Sequence, residues 1–191
     1  AILELVGRYD LAPSDVARVS VGIIPTGSLI IAEPPDQKYH PRSTVDAQFS
    51  MPYGAAIALL KRRATLDEFA EDVIRSPEVT PLLGKVVCVK DPELEASYPA
   101  KWAGWAEIKT VDGKRRKSRV EMPKGEPENP LAWEELVEKF HTLVTPVFSE
   151  RRRKAIIEAT ARLETFRDIR DLASLLRAET PASRQGPGRA W

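Results

Sequence analysis

The sequence predicts an α+β fold, with a small antiparallel sheet and a β-hairpin packed against several helices. The predicted strands do not alternate regularly with helices, as they would in a doubly wound sheet. Asp112-Gly113 separates two alternating runs, 103–111 and 114–122, and this dipeptide favours the turn that joins two antiparallel strands. From Asn129 onward, apolar residues recur at helical spacing, which predicts three successive helices.

The first predicted elements are an apolar helix and a set of short strands. Ile2, Leu5 and Val6 follow a helical stripe, and no N-cap residue precedes it. Residues 17–24 alternate between apolar and polar side chains, which predicts a strand with one buried face. Residues 28–32 are interpreted as a second short strand. Residues 85–90 predict another strand, which contains the single cysteine, Cys88.

The middle of the chain contains an uncharged run from Ala47 to Leu60. Ser50 is a suitable N-cap and would put Pro52 in the first turn, where a proline is tolerated. The pattern therefore predicts a loop up to Phe49, followed by a buried helix. A capping-box sequence, Thr65 to Glu68, predicts a further helix over residues 69–74.

The last helices are predicted at 133–144, 150–166 and 168–176, and the proposed domain covers residues 1–177. Residues 178–191 are rich in Pro, Gly and Arg, which predicts a flexible tail. Because the chain opens within an apolar stripe, we expect it to be the C-terminal piece of a longer protein or a split subunit. That stripe and the alanine-rich helix also lead us to expect self-association or a partner.

Composition and charge exclude several function classes. Lys plus Arg total 29 and Asp plus Glu total 28, so the basic excess typical of a nucleic-acid-binding protein is missing. One cysteine excludes a disulfide framework, and two distant histidines make a histidine-rich metal centre improbable. The uncharged run is shorter than the ~20 residues that a membrane span needs. No basic leader of a signal peptide is visible, so a cytoplasmic location is expected.

Several individual features favour structural roles over chemical ones. His40 is interpreted as a surface histidine rather than a ligand-binding one, and Cys88 as a buried, inert thiol. The basic runs 114–117 and 151–154 carry no interleaved aromatic residues and are interpreted as solvated faces. The carboxylates in the segment 91–95 are interpreted as a solvated turn rather than an acid–base pair.

Ser50 and Tyr53 place two hydroxyls three residues apart in an otherwise apolar run, and therefore on one helix face. A buried hydroxyl needs a hydrogen-bond partner, and a phenol can donate to a carboxylate or an oxyanion. The residues alone leave two alternatives open: a role in binding a ligand, or core packing with internal hydrogen bonds.

A resemblance to the MmgE/PrpD family rests on a series of motifs in family order. They are Thr44-Val-Asp-Ala-Gln-Phe-Ser-Met-Pro-Tyr53, Asp91-Pro-Glu-Leu-Glu95, Tyr98-Pro99, the Asp112-Gly113 hairpin, the segment 123–131 and the segment 135–140. The chain resembles the smaller, C-terminal α+β domain of this family over roughly residues 1–176. Members include 2-methylcitrate dehydratase, cis-aconitate decarboxylase and iminodisuccinate epimerase.

This resemblance implies a cofactor-independent and metal-independent lyase or isomerase for small polycarboxylates. Such an enzyme removes a proton next to a carboxylate and then expels water or CO₂, or reprotonates the carbon. The family resemblance implies that Tyr53 faces the cleft between two domains as a catalytic hydrogen-bond donor. Gln48, Phe49 and Ser50 would lie beside it and contact substrate.

The resemblance also implies a partner. The family's acid–base histidine and lysine residues lie mostly in a helical N-terminal domain that this chain does not match, so we expect competence only together with that domain or an equivalent subunit. The family resemblance implies a homodimer, so we expect a homo-oligomer. The alternative hypothesis is a non-catalytic regulatory or scaffolding subunit that keeps the fold. Binding to nucleic acid or a membrane is not expected.

Overall fold

The computed structural model describes residues 1–177, which fall into two compact units. The first unit is Ala1–Pro130 and the second begins at Leu131. The single domain that the sequence predicts over residues 1–177 stays a prediction. The tail predicted at 178–191 lies outside the described residues.

The first unit contains eight α-helices and four strands among its described residues. The helices are α1 (Ile2–Tyr9), α2 (Pro25–Ile31), α3 (Pro35–Lys38), α4 (Thr44–Gln48), α5 (Met51–Lys61), α6 (Glu71–Ile74), α7 (Thr80–Leu83) and α8 (Pro92–Ser97). The strands are β1 (Val16–Ile23), β2 (Val86–Lys90), β3 (Gly104–Thr110) and β4 (Arg115–Val120). The predicted α+β class is confirmed.

The four strands form one sheet in the order β2-β1-β3-β4. Strand β1 pairs antiparallel with β3, and β3 pairs antiparallel with β4 across the predicted hairpin. Gly113 turns that hairpin with a positive φ of 85°, a conformation that suits glycine. Strand β2 runs parallel to β1, so the sheet is mixed rather than wholly antiparallel. The helices between β1 and β2 provide the long connection that a parallel pair requires.

Helices α1 and α5 pack together, and both contact the sheet: α1 touches β3 and β4, and α5 touches β2. The uncharged sequence of α5 is explained by burial, because Ala55, Ala56, Ile57 and Leu59 are all nearly inaccessible to solvent. The small alanine side chains allow close packing. The predicted N-cap is confirmed, since the Ser50 hydroxyl accepts a 3.0 Å hydrogen bond from the backbone N–H of Tyr53.

Two local predictions for the first unit were wrong. Residues 28–32 were expected to form a strand, but residues 28–31 belong to α2, which begins at Pro25, and Ala32 is its C-cap. A proline in the first turn starts a helix readily, and a short apolar run cannot by itself distinguish helix from strand. The predicted loop before Phe49 contains the two short helices α3 and α4.

The capping-box prediction at Thr65 holds only in part. The Glu68 carboxylate accepts from the Thr65 N–H, as in a capping box. The chain forms a 3₁₀ turn here, however, at Asp67–Phe69, and α6 begins only after this turn, at Glu71. The single helix expected over residues 69–74 is therefore divided at Ala70, which is extended.

Trp105 crosses the sheet directly above Gly22, its partner in the β1–β3 register. A Cβ atom at Gly22 would lie 2.1 Å from the indole ring, which is far inside van der Waals contact. The indole is held in place because its N–H donates to the Asp91 carboxylate at 2.6 Å and the Lys117 ammonium lies 4.5 Å from the ring centroid. Position 22 therefore requires glycine.

The second unit contains α9 (Trp133–Val144), α10 (Glu150–Thr160) and α11 (Ile169–Leu175). Helix α10 contacts both of the others. It ends at Thr160, six residues earlier than predicted, and a 3₁₀ turn follows at Leu163–Thr165. Only α10 contributes fully buried apolar residues among the described part of this unit, namely Ile156 and Ala159.

The apolar stripe of α9 is open rather than covered within this unit. It lines a groove of about 350 Å³ with the apolar side of α10 and Leu176. The lining residues are Trp133, Leu136, Val137, Phe140, Ile156, Ile157, Thr160 and Leu176. The helical periodicity of the sequence was correct, but this stripe does not form a closed core here.

Across residues 1–177, no helix combines the length and the apolar character that a bilayer-spanning segment needs.

Replacing Gly22 by alanine is expected to destabilise the first unit. The added methyl group forces Trp105 to move, which strains the sheet and disturbs the bond to Asp91. Overpacking of this kind costs about 1–3 kcal/mol of unfolding free energy. Urea unfolding followed by circular dichroism measures it.

The matched control is Gly104→Ala, also in a strand, where the new Cβ would have only an ordinary contact of 3.7 Å. Its unfolding free energy should change much less. Equal effects of the two substitutions would show that the indole does not restrict position 22.

Candidate functional site

Tyr53 lies in the protein core. Its side chain has no solvent exposure, and its hydroxyl donates a 2.6 Å hydrogen bond to the backbone carbonyl of Glu68. Its ring contacts Phe69 at a centroid separation of 5.4 Å. In the structure an internal carbonyl accepts the hydrogen bond of this hydroxyl, and the expectation that it faces a cleft between two domains stays a prediction. The alternative of core packing with an internal hydrogen bond describes the observed position.

The electrostatic surroundings also favour a neutral phenol at position 53. Burial, and secondarily the nearby Glu68 charge, raise the pKa of Tyr53 to about 12. A phenol with that pKa remains protonated at neutral pH and keeps donating to the carbonyl. This placement gives Tyr53 a structural hydrogen bond, and its predicted catalytic role stays a prediction.

Ser50 is also internal, with 4% of its surface exposed. Besides capping α5, its hydroxyl donates to the backbone carbonyl of Lys38 at 2.5 Å. The two bonds join the end of α3 to the first turn of α5. Both the donor and an acceptor position of this hydroxyl are therefore used within the protein.

Gln48 and Phe49, in contrast, are at the surface. Gln48 ends α4 and is exposed, and half of the Phe49 side chain is accessible. The Phe49 carbonyl accepts a 2.8 Å hydrogen bond from the Lys38 ammonium. The structure thus divides the four predicted residues: Tyr53 and Ser50 face inward, while Gln48 and Phe49 face solvent.

Glu68 is the most buried carboxylate of the described chain, with 3% exposure. One carboxylate oxygen accepts from Arg63 Nε at 2.5 Å, and the other accepts from the Thr65 N–H and hydroxyl, both at 2.8 Å. Burial alone would raise the pKa of Glu68, but the hydrogen bonds from Thr65 and Arg63 outweigh it and hold that pKa below its usual value. The carboxylate is therefore ionised and fully engaged.

A polar surface pocket of about 280 Å³ is formed by residues of α3, of α4 and of the segment between these two helices. Its lining residues are Asp36, Gln37, Lys38, His40, Arg42 and Asp46. This pocket directly precedes and partly overlaps the family motif, and it is accessible to a ligand, as are Gln48 and Phe49. We call it the 36–46 pocket.

Backbone groups hold two of the side chains of the 36–46 pocket, those of His40 and Asp46. His40 Nδ1 lies 2.9 Å from the Asp36 carbonyl, so this nitrogen carries the proton and donates. The Asp46 carboxylate accepts from the Arg42 backbone N–H at 3.1 Å, and this bond, with those from Ser43, lowers the pKa of Asp46. Within residues 1–177 the Arg42 guanidinium has no described hydrogen bond or ion pair.

The sequence interpretation missed Lys38 and Arg42, and treated His40 as a simple surface residue. The available signal was the occurrence of three basic residues within the five-residue stretch 38–42, shortly before the uncharged run that begins at Ala47. Their convergence on one pocket depends on the short helices α3 and α4, which the sequence pattern did not predict.

The other features that the sequence singled out have structural partners. Asp91 accepts from the Trp105 indole, and Glu95 accepts from the Thr26 hydroxyl and, at 3.0 Å, from the Thr26 N–H. These bonds lower the pKa of both carboxyl groups. Asp91 is the N-cap of helix α8 and Glu95 lies within this helix, so the segment is not the expected solvated turn. Cys88 is half-buried, and burial raises the pKa of its thiol to about 11, which disfavours a nucleophilic role.

The first basic run is engaged within the protein. Lys114 pairs with Asp112 and Arg115 pairs with Glu107. The Arg116 guanidinium lies 4.6 Å from the Tyr9 ring centroid. No cluster of three or more potential metal ligands occurs in the described part of the chain.

Comparison with known proteins explains the order of the motifs. The sequence model described as "MmgE/PrpD C-terminal domain" matches residues 1–165. The chain belongs to the MmgE/PrpD family. The match covers all of the first unit and runs into α10 and the turn that follows it.

Relatives of this MmgE/PrpD chain have enzyme names. It is 30% identical over 175 residues to "Cis-aconitate decarboxylase" of Aspergillus terreus, a match that covers 91% of this chain and 35% of that protein. The corresponding human protein is 27% identical over 178 residues, with 93% and 36% covered. The "2-methylcitrate dehydratase" of Cupriavidus necator is 31% identical over 134 residues, with 63% and 27% covered. This chain therefore spans about a third of the relatives' length.

Replacing Tyr53 by phenylalanine is expected to destabilise the protein by about 1–3 kcal/mol. The ring remains, but the buried Glu68 carbonyl loses its donor. Thermal and urea unfolding measure the change.

A suitable control is Tyr98→Phe, because Tyr98 is 40% exposed and its hydroxyl makes none of the described hydrogen bonds. That change should stay within about 0.5 kcal/mol. Unaltered stability of Tyr53→Phe would mean that the hydroxyl is not bound to the carbonyl and is free for a ligand.

Stability is also expected to depend on pH through Glu68. Its folded-state pKa is lower than the unfolded value of about 4.3, so the stabilisation is fully present above that value. It is lost as the pH falls through the folded-state pKa. Glu68→Gln should therefore be less stable than the wild type at pH 7, and the difference should shrink in acid.

Unfolding free energies between pH 7 and pH 3 test this expectation. Glu71→Gln is the control, because the Glu71–Arg75 pair is exposed and such pairs contribute little. A difference between Glu68→Gln and the wild type that stayed constant over this pH range would contradict the assignment.

Proposed function

We propose that this chain is the C-terminal part, or a split subunit, of an MmgE/PrpD lyase or isomerase that acts on small polycarboxylates. The observation that carries the proposal is the family match over residues 1–165, together with relatives named for the decarboxylation of cis-aconitate and the dehydration of 2-methylcitrate. The reaction class is removal of a proton next to a carboxylate, followed by loss of CO₂ or water or by reprotonation. Neither a metal nor an organic cofactor takes part in the proposed reaction.

In this proposal the chain forms one wall of an active site, and the acid–base residues belong to the remaining two thirds of the enzyme. The internal positions of Tyr53 and Ser50 restrict the wall to exposed parts of the motif. Gln48, Phe49 and the 36–46 pocket meet that condition, because each is accessible and directly connected to α5. Tyr53 would then support the wall from inside rather than contact substrate.

Open apolar surfaces in both units support the need for a partner. In the first unit, a groove of about 350 Å³ is lined by Leu3, Met51, Gly54 and Trp102 among others. Trp102 is 56% exposed there. In the second unit, the α9 stripe is open as described above. Exposed apolar patches of this kind mark interaction surfaces, and we propose that the helical remainder of the enzyme or a second copy covers them.

The proposed function is tested by assaying the chain alone and in combination with the remainder of the enzyme. CO₂ release from cis-aconitate, water loss from 2-methylcitrate and epimerisation of iminodisuccinate are the three reactions to follow. The chain alone should be inactive, because in this proposal the acid–base residues belong to the remainder of the enzyme. The combination should turn over at least one substrate.

Enzyme-like turnover by the chain alone would contradict the division of labour that we propose. Failure of the assembled protein on all three substrates would contradict the substrate class.

Association provides an independent prediction. At micromolar concentration, the chain should sediment as a species larger than its 21.3 kDa mass. Leu136→Asp puts a charge in the α9 groove and should shift the distribution toward monomer. Leu29→Asp, at a position that is 67% exposed in α2, is the control and should not. A monodisperse monomer for the wild type would contradict the prediction.

A non-catalytic subunit is the second candidate, and the geometry of Tyr53 is the observation that favours it. The residue that the family resemblance assigned to chemistry is fully engaged by the core. The two candidates differ in one measurement. An enzyme component must change kcat or KM when Phe49 or Gln48 is substituted in the assembled protein, whereas a scaffold must change only assembly and stability.

A further inference from the structure

The 36–46 pocket has a chemistry that neither the family match nor the names of the relatives assign to any residue. Three basic side chains, Lys38, His40 and Arg42, line one depression of about 280 Å³. We propose that this pocket binds the carboxylates of a di- or tricarboxylate, with Lys38 and Arg42 as the main ligand-binding residues. This inference rests on the proposed function for the class of ligand.

Free hydrogen-bonding capacity is the first argument. The Arg42 guanidinium has five N–H donors in a planar arrangement that suits a carboxylate, and none has a described partner within residues 1–177. The Lys38 ammonium uses one donor on the Phe49 carbonyl, which leaves two. Both groups therefore present unsatisfied donors to the same space.

Preorganisation is the second argument. The backbone of Lys38 is held by the Ser50 hydroxyl, and its ammonium by the Phe49 carbonyl. The Arg42 backbone is held by the Asp46 carboxylate, and the His40 ring by the Asp36 carbonyl. A ligand that enters the pocket has to order only the remaining freedom of the side chains, which reduces the entropic cost of binding.

The charge balance of the pocket determines which anions it prefers. Lys38 and Arg42 contribute two positive charges and Asp36 and Asp46 two negative ones, so the charges of these four side chains sum to zero. Long-range attraction for any small anion is therefore weak. Affinity must come from directed hydrogen bonds, and a ligand gains most when separate carboxylates reach Lys38 and Arg42 together. A monocarboxylate or a phosphate ion cannot do so in the same way.

Binding is tested on the chain with tricarballylate (propane-1,2,3-tricarboxylate), which carries three carboxylates and no reactive double bond or hydroxyl. Backbone amide NMR at constant ionic strength should show saturable shifts centred on residues 36–46. Acetate and inorganic phosphate, at the same concentrations, should produce clearly weaker shifts there. Arg42→Gln should raise the dissociation constant for tricarballylate about fivefold, the effect of an exposed ion pair worth about 1 kcal/mol.

Arg18→Gln is the matched control. Arg18 is an exposed arginine on β1 outside the pocket, so its removal changes the net charge equally without touching the proposed ligand. An equal loss of affinity in both variants would overturn the proposal, as would shifts spread over the whole surface or equal binding of acetate or phosphate. An absence of saturable shifts in the wild type would overturn it as well.

Kinetics of the assembled enzyme separate this inference from the proposed function. If cis-aconitate or 2-methylcitrate is turned over and Arg42→Gln leaves kcat and KM unchanged, the function stands and the pocket assignment fails. If tricarballylate binds at the pocket but no polycarboxylate is turned over, the pocket stands and the proposed enzyme function fails. Arg18→Gln should leave both kinetic constants unchanged in either case.

Discussion

Burial of the uncharged helix α5 is the constraint on which the rest of the first unit depends. With no charged residue from Met51 to Leu60, the helix packs against α1 and the sheet, and its polar groups must find partners inside the protein. The two hydroxyls of the run meet this requirement in opposite directions along the chain. Ser50 bonds to Lys38 at the end of α3, and Tyr53 bonds to Glu68 in the turn that follows α5.

These two hydrogen bonds connect the core to the candidate site. The Tyr53–Glu68 bond holds the turn after α5. The Glu68 carboxylate in this turn accepts hydrogen bonds from Arg63 and Thr65. The Ser50–Lys38 bond holds the segment that forms the 36–46 pocket. A family motif of this kind can therefore be important without supplying a reacting group, because it fixes the backbone of an accessible pocket. Removing either hydroxyl leaves an internal polar group unsatisfied, and the cost falls first on stability.

Membership of the MmgE/PrpD family and the open apolar grooves support the same functional proposal. The chain spans about a third of the relatives' length, and its two units each present an apolar surface that is open within the unit. An enzyme assembled around such surfaces would bring its acid–base residues to the polar face of the motif. The proposal thus assigns the two tasks to different parts of the enzyme. The preorganised, nearly neutral pocket of this chain would recognise carboxylates, and the remainder of the enzyme would carry out proton transfer.

The sequence by itself determined the elements whose signals are local. The sequence correctly predicted the hairpin at Asp112-Gly113, the Ser50 cap, the buried helix that follows it and the family. Turn and cap signals lie in neighbouring residues, and the family signal lies in the order of the motifs along the chain. Helix α2 was mistaken for a strand because a short apolar run has no decisive periodicity. The structure shows that this run continues a helix that begins at Pro25.

Only the tertiary structure decided the direction of each side chain in the motif. Helical spacing put Ser50 and Tyr53 on one face but could not say whether that face meets a cleft or the core. The answer depends on Glu68 and Lys38, fifteen and twelve residues away, whose carbonyls happen to receive the two hydroxyls. The pocket formed by Lys38, His40 and Arg42 has the same origin, because side chains converge on a common space only after the short helices between them have formed.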